Sequence, residues 1–151
     1  MKAVLTGHSR GLGAAIAATL LSRNIPVLAL SRTTHVDLAG RFPRLLEQVE
    51  MDLADSAALA GWLGSGAMPR FLADCRTALL INNAGTVQPV GPAGSQDVSA
   101  IARAVSLNVA APLMLANAFV AATHAAIERR ILHVSSGAAR SPYPEIGRAH
   151  V

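Results

Sequence analysis

A doubly wound α/β fold, a parallel sheet with helices on both faces, is predicted by three features of the sequence. Short apolar runs without alternation, such as Ala3–Thr6 and Ala78–Asn82, have the pattern of strands buried on both faces. Longer helical stretches separate them, and such strand–helix alternation implies right-handed crossovers between parallel strands. A glycine-rich turn, "TGHSRGLG", stands between the first strand and the first helix. At 151 residues, 52% apolar and 15% charged, the chain has the size and composition of one domain with a sizeable core.

The elements follow in order. Ala3–Thr6 is a buried strand, and "GLGAAIAATLLSRN" a helix ending near Asn24. Pro26–Leu30 is the second strand, Val49–Met51 a short third, Ala78–Asn82 the fourth and Ile131–Ser136 the fifth. Helices are expected at Gly40–Gln48, Ser56–Leu63 and Arg70–Arg76, with "GSGAMP" as a loop, and a long helix from about Asp97 to Ala126. There is no internal repeat, low-complexity segment or interdomain linker.

Composition excludes several functions. The net charge is +4, but the arginines are scattered and aromatics make up only 3%, so no nucleic-acid surface is expected. The lone Cys75 excludes an internal disulfide framework and fits a reducing, cytoplasmic setting. The five histidines lack metal-ligand spacing, so no metal site is expected. At the N-terminus, "TGHSRG" interrupts the apolar run, which argues against export and membrane insertion.

The turn places Gly7, Gly11 and Gly13 between a buried strand and a helix start. Glycines there let the backbone turn sharply and approach a pyrophosphate, while the helix N-terminus supplies N–H donors. Asn108 lies inside the long helix with Pro112 four residues later. A helical N–H at position 112 would bond the Asn108 carbonyl, but proline has none, so that carbonyl is released and a kink is expected.

With "INNAG" (Ile81–Gly85) closing the fourth strand, "SLNVAAP" in the long helix and "HVSSGA" closing the fifth strand, the chain resembles the short-chain dehydrogenase/reductase family from Met1 to about Pro144. The resemblance implies a Rossmann-like sheet and an NAD(P) cofactor. Thr6, Gly7, Ser9, Arg10, Gly11, Leu12 and Gly13 match the cofactor turn, and Asp52 with Leu53 the pair that holds the adenine ring. Asn82, Asn83, Ala84 and Gly85 match the motif that stabilises the central sheet and lines the cofactor site. Ser136 matches the serine that hydrogen-bonds the substrate carbonyl, and Asn108 the residue whose main-chain carbonyl holds a relay water.

A dehydrogenase that prefers NAD usually carries an acid at the end of the second strand, bonding the ribose 2′-OH. Here that strand ends in Ser31 and Arg32, and Arg10 adds a cation beside the turn. Two guanidiniums can grip a 2′-phosphate through charge-assisted bonds, so NADP (NADPH) is the expected cofactor.

The family's tyrosine, paired with a lysine four residues on, normally follows the serine by about a dozen residues. That lands near Ala149, where there is none. Tyr143 comes too early and its fourth successor is Gly147, while Lys2 is the only lysine. "EIGRAHV" (Glu145–Val151) matches one reading frame of a common sequencing-library adapter. Residues 1–144 are therefore read as the N-terminal part of a single domain, and 145–151 as a non-native tail. The expected parent is an NADP-dependent oxidoreductase acting on a carbonyl or alcohol of a small substrate, with its acid–base pair missing from this fragment. "INNAGTVQPVGP" resembles the branch containing sepiapterin reductase and bacterial benzil reductases, which implies a small dicarbonyl or pterin-like ketone. The family resemblance also implies a homo-oligomeric parent. The alternative is a non-catalytic NADP(H)-binding regulatory module.

Overall fold

The computed structural model describes residues 1–123 and 128–136, which form one five-stranded parallel sheet in the order β3-β2-β1-β4-β5. Along the chain the elements are β1 (Lys2–Thr6), α1 (Gly11–Ser22), β2 (Val27–Ser31), α2 (Val36–Arg41) and β3 (Leu46–Glu50). They continue as α3 (Ser56–Gly64), α4 (Ala67–Leu72), β4 (Thr77–Asn82), α5 (Val98–Val105), α6 (Ala111–Ala122) and β5 (Glu128–His133). The arrangement is Rossmann-like and doubly wound, as expected.

The period-two alternation of a strand explains how continuous apolar runs fill two layers. Val4, Leu28, Leu30, Ala78 and Leu80 face one side, against Leu59 of α3, Met68 and Leu72 of α4, and Ala111, Leu115 and Phe119 of α6. Their neighbours Ala3, Leu5, Val27, Ala29 and Ile81 face the other side, against Ala17 and Leu21 of α1 and Leu38 of α2. Each fully buried large side chain contributes about 1.5–3 kcal/mol. The stretch Val98–Ala122 is long and apolar enough to cross a membrane, yet its Ala111, Leu115 and Phe119 are packed into this core. All six residues of β5 are exposed.

Five local expectations are corrected. Between β2 and β3 the helix spans Val36–Arg41, not Gly40–Gln48. The chain turns at Phe42, and Leu46–Gln48 join β3, because Leu46 finds Val27 as its strand partner. That pairing overrides a helical pattern which Leu45 and Leu46 alone would satisfy.

The "GSGAMP" loop shrinks to Ser65–Gly66, with Gly66 at φ +76°. Helix α4 starts at Ala67 and ends at Leu72, ahead of the expected Arg70–Arg76. The third strand starts three residues early, at Leu46, and ends at Glu50. Likewise β5 covers Glu128–His133 rather than Ile131–Ser136, although the Val134 N–H still donates to the Asn82 carbonyl.

The long helix begins after Asp97, whose carboxylate caps it by accepting from the Ala100 N–H. At Pro112 the chain accommodates the missing donor with a π-helical turn at Ser106–Ala110, in which the Ala111 N–H reaches back to the Ser106 carbonyl. The expected helix end at Ala126 and residues 137–151, including Glu145–Val151, lie outside the described residues.

Candidate cofactor site

The strand order reverses between β1 and β4, so the chain leaves their carboxyl ends towards opposite sides of the sheet and opens a crevice there. Its floor is set by backbone proximity. Gly7 and Gly11 adopt φ of +74° and +56°, conformations that side chains disfavour. A Cβ at Gly13 would fall 1.9 Å from the Gly7 carbonyl oxygen, so only glycine lets α1 start this close to β1.

Polar groups lock the floor to β4. The Thr6 hydroxyl oxygen accepts the Asn83 and Ala84 N–H groups, each at 3.0 Å. In return the Asn83 amide donates to the carbonyls of Thr6 and Gly7 at 3.0 and 3.1 Å. Thr6 therefore lies beneath the site rather than in its wall.

Above this floor is a cavity of about 610 Å³. Gly7, Ser9, Arg10, Gly11, Leu12 and Gly13 line one side, and Asn83, Ala84 and Gly85 the middle. Arg32 lines the end nearest β2, and Asp52 with Leu53 the part after β3. Thus the turn residues, Arg32, Asp52 with Leu53, and Asn83–Gly85 border one cavity with Thr6 as its support, whereas Asn82 is buried outside the wall, 3.3 Å from His133 Nδ1. Asn108 and Ser136 are not in the wall. Ser136 sits three residues past β5. The Asn108 side chain pins the loop after β4, accepting from the Thr86 N–H at 2.9 Å and donating to the Thr86 carbonyl at 2.8 Å.

The sequence reading missed Ala100, Arg103, Ala104 and Leu107, which contribute a wall from the long helix. Their i, i+3, i+4, i+7 spacing marks one helix face, but nothing in the sequence says which face meets the cavity. Arg103 matters most, because its guanidinium pairs with the Asp52 carboxylate. Partial burial pushes the Asp52 carboxyl up. The Ala54 N–H, Arg103 and the charge of Arg32 outweigh that and hold it below the usual carboxylate range.

Outside the wall, His8 is fully buried. Burial holds its imidazole below the ordinary histidine range, aided by His35 and opposed by the hydrogen bond to Gln48.

The arrangement suits a dinucleotide. The glycine cradle leaves a pyrophosphate room against the start of α1, whose first N–H groups have no helical partner.

The family model for short chain dehydrogenases matches residues 1–148. A benzil reductase ((S)-benzoin forming) of Bacillus cereus is 31% identical over 148 residues, covering 93% of this chain and 58% of the relative. One from Bacillus subtilis (strain 168) is 32% identical over 143 residues, covering 93% and 56%. The chain thus spans little more than half the length of these relatives. Among solved structures, a short-chain dehydrogenase/reductase from Burkholderia vietnamiensis has a TM-score of 0.93 at 51% identity, over 96% of this chain and 67% of that one. A metagenomic short-chain oxidoreductase in complex with NADP has a TM-score of 0.80 at 30% identity, over 95% and 64%. With the match running from β1 through β5, the chain belongs to the short-chain dehydrogenase family.

Proposed function

We propose that the chain carries the cofactor site of an NADP-dependent oxidoreductase that interconverts a carbonyl and an alcohol on a small substrate. The observation that carries this reading is the pair of guanidiniums, Arg10 and Arg32, in the cavity wall. Among the described residues the wall has one carboxylate, Asp52, and Arg103 engages it. The end of β2 therefore offers cations where an NAD-preferring site offers an acid to the ribose 2′-OH. A 2′-phosphate matches that charge.

In this reading the glycine turn holds the pyrophosphate, Asp52 and Leu53 flank the adenine, and Asn83–Gly85 line the path towards the nicotinamide. The nicotinamide, when bound, supplies or accepts the hydride. Ser136 hydrogen-bonds the substrate oxygen, and Asn108 holds the loop that shapes the inner end of the cavity. The relatives named for benzil reduction, together with the "INNAGTVQPVGP" stretch, favour a small dicarbonyl, with a pterin-like ketone as the neighbouring class. The exposed Val98, Ile101, Val105, Val109 and Leu113 recur at helical spacing on the long helix and support a homo-oligomer.

Titration of NADPH and NADH onto the chain and onto Arg32→Ala tests the reading. Each charge-assisted contact is worth roughly 1.5–3 kcal/mol, so NADPH binding weakens at least about tenfold while NADH binding barely changes. Equal losses for both cofactors would overturn the assignment.

A further inference from the structure

Behind the cavity wall lies a buried polar network centred on His8, which the cofactor reading does not use. His8 Nε2 is 2.6 Å from Gln48 Oε1, and His8 Nδ1 is 3.0 Å from Ser31 Oγ. Gln48 Oε1 also accepts the His35 N–H at 2.6 Å. That atom is therefore an acceptor, and His8 Nε2 must carry a proton to meet it.

The other side of the ring presents a conflict. Ser31 Oγ lies 2.7 Å from the Thr33 carbonyl as well as beside His8 Nδ1. A hydroxyl has one proton and cannot donate to both. With a neutral ring, Nδ1 is bare, the Ser31 hydroxyl turns to it, and the Thr33 carbonyl loses its donor. With a charged ring, Nδ1–H donates to Ser31 Oγ and the hydroxyl proton goes to Thr33. Only the charged ring satisfies every contact at once.

Burial opposes that charge. The titratable neighbour that acts on the ring, among the described residues, is His35, and it opposes the charge too. Ser31 of β2 and Gln48 of β3, which also pack on it, do not titrate near neutrality. Arg10 and Arg32 border the adjoining cavity, where they would face an anion.

Arg32 is the residue between Ser31 and Thr33, the two ends of the contested hydrogen bond. Resting on the NADP reading above, we propose that His8 is a positioning residue for 2′-phosphate recognition. It takes a proton from solvent onto Nδ1 when the phosphate binds beside Arg32, and thereby fixes the Ser31–Thr33 turn that aims the guanidinium. His8 is fully buried and does not itself touch the ligand.

Calorimetry of adenosine 2′,5′-bisphosphate and of 5′-AMP, each in two buffers of different ionisation enthalpy, tests this on the 151-residue chain near neutral pH. The expected result is proton uptake with the bisphosphate beyond that with 5′-AMP. His8→Asn removes that excess, separating it from titration of the phosphate itself. It also lowers the preference for the bisphosphate by about tenfold. Gln48→Glu places a carboxylate against Nε2 and charges the ring beforehand, so the uptake disappears while the preference stays.

Uptake that is the same in the parent and His8→Asn overturns the proposal, as does an undiminished preference in His8→Asn. Should His8→Asn not fold, unchanged uptake in Gln48→Glu overturns it alone. No preference for the bisphosphate in the parent chain would sink the NADP reading too, whereas a preference that survives in His8→Asn sinks only this one.

Discussion

Gly13 packs directly against Gly7, so that a Cβ at position 13 would sit 1.9 Å from the Gly7 carbonyl oxygen and 2.5 Å from the Asn83 amide nitrogen. The nearest obstacle is backbone, which cannot step aside as a flexible side chain can. Gly13→Ala is expected to destabilise the fold by about 3 kcal/mol, at the upper end of overpacking. Gly61→Ala, in α3 with open space around it, is the control, with a gain of up to about 1 kcal/mol from helix propensity. Urea denaturation of both variants checks the contrast.

Thr6 presents a second contrast. Its hydroxyl oxygen accepts two backbone N–H groups from the end of β4. Thr6→Val keeps the shape and leaves both donors without that partner, each at a cost of about 1–3 kcal/mol where buried. Thr6→Ser keeps the acceptor and is expected to retain most of the stability. Denaturation midpoints separate the two, and amide exchange at Asn83 and Ala84 should rise only in the valine variant.

Removing Arg103 tests the electrostatics at the β3 end. In Arg103→Met the Asp52 carboxyl loses its hydrogen-bonding and charged partner and rises, while Ala54 and Arg32 still hold it down. Arg32→Met removes only the smallest of these contributions and should raise it less. Because the pair is partly exposed, the change in global stability stays below about 1 kcal/mol. Carbon-13 NMR titration of the Asp52 carboxyl reads both shifts.

Acid should weaken the fold in two stages. His8 and Asp52 are both lowered by folding, so the unfolded chain binds more protons and stability falls as pH falls. The His8 stage begins near the unfolded histidine value of about 6.5 and ends as pH passes the lower folded value. The Asp52 stage begins near the unfolded carboxylate value of about 3.9 and ends as pH passes the lower folded value. Urea midpoints across this range should lose their upper stage in His8→Asn and keep the lower one.

How much of this was legible in the sequence varies with the range of the interaction. Local chemistry was readable: the glycines between β1 and α1, the apolar runs, and the proline that breaks the ladder above Asn108. The helix near residue 40 was misplaced because Leu45 and Leu46 satisfy two patterns, and pairing with β2, remote from any local window, decides between them. Arg103 was missed for a similar reason. Its partner Asp52 lies 51 residues away, so only the assembled crevice makes one site of the two. His8 carried no signal in the sequence, because its partners Ser31 and Gln48 come from two strands distant in the chain.

The hydrogen bonds that join Thr6 to Asn83 and Ala84 span 77 and 78 residues of chain. During synthesis the glycine turn emerges early, but the floor that shapes it arrives only once β4 has been made. β2 must join β1 on one side and β4 on the other, so the binding crevice cannot be prepared by any local segment. Closing so long a loop is entropically unfavourable, although each doubling of length adds only about 0.6 kcal/mol. Contacts of this range slow folding, which makes acquisition of the crevice a late, all-or-none event tied to completion of the β1–β4 pair.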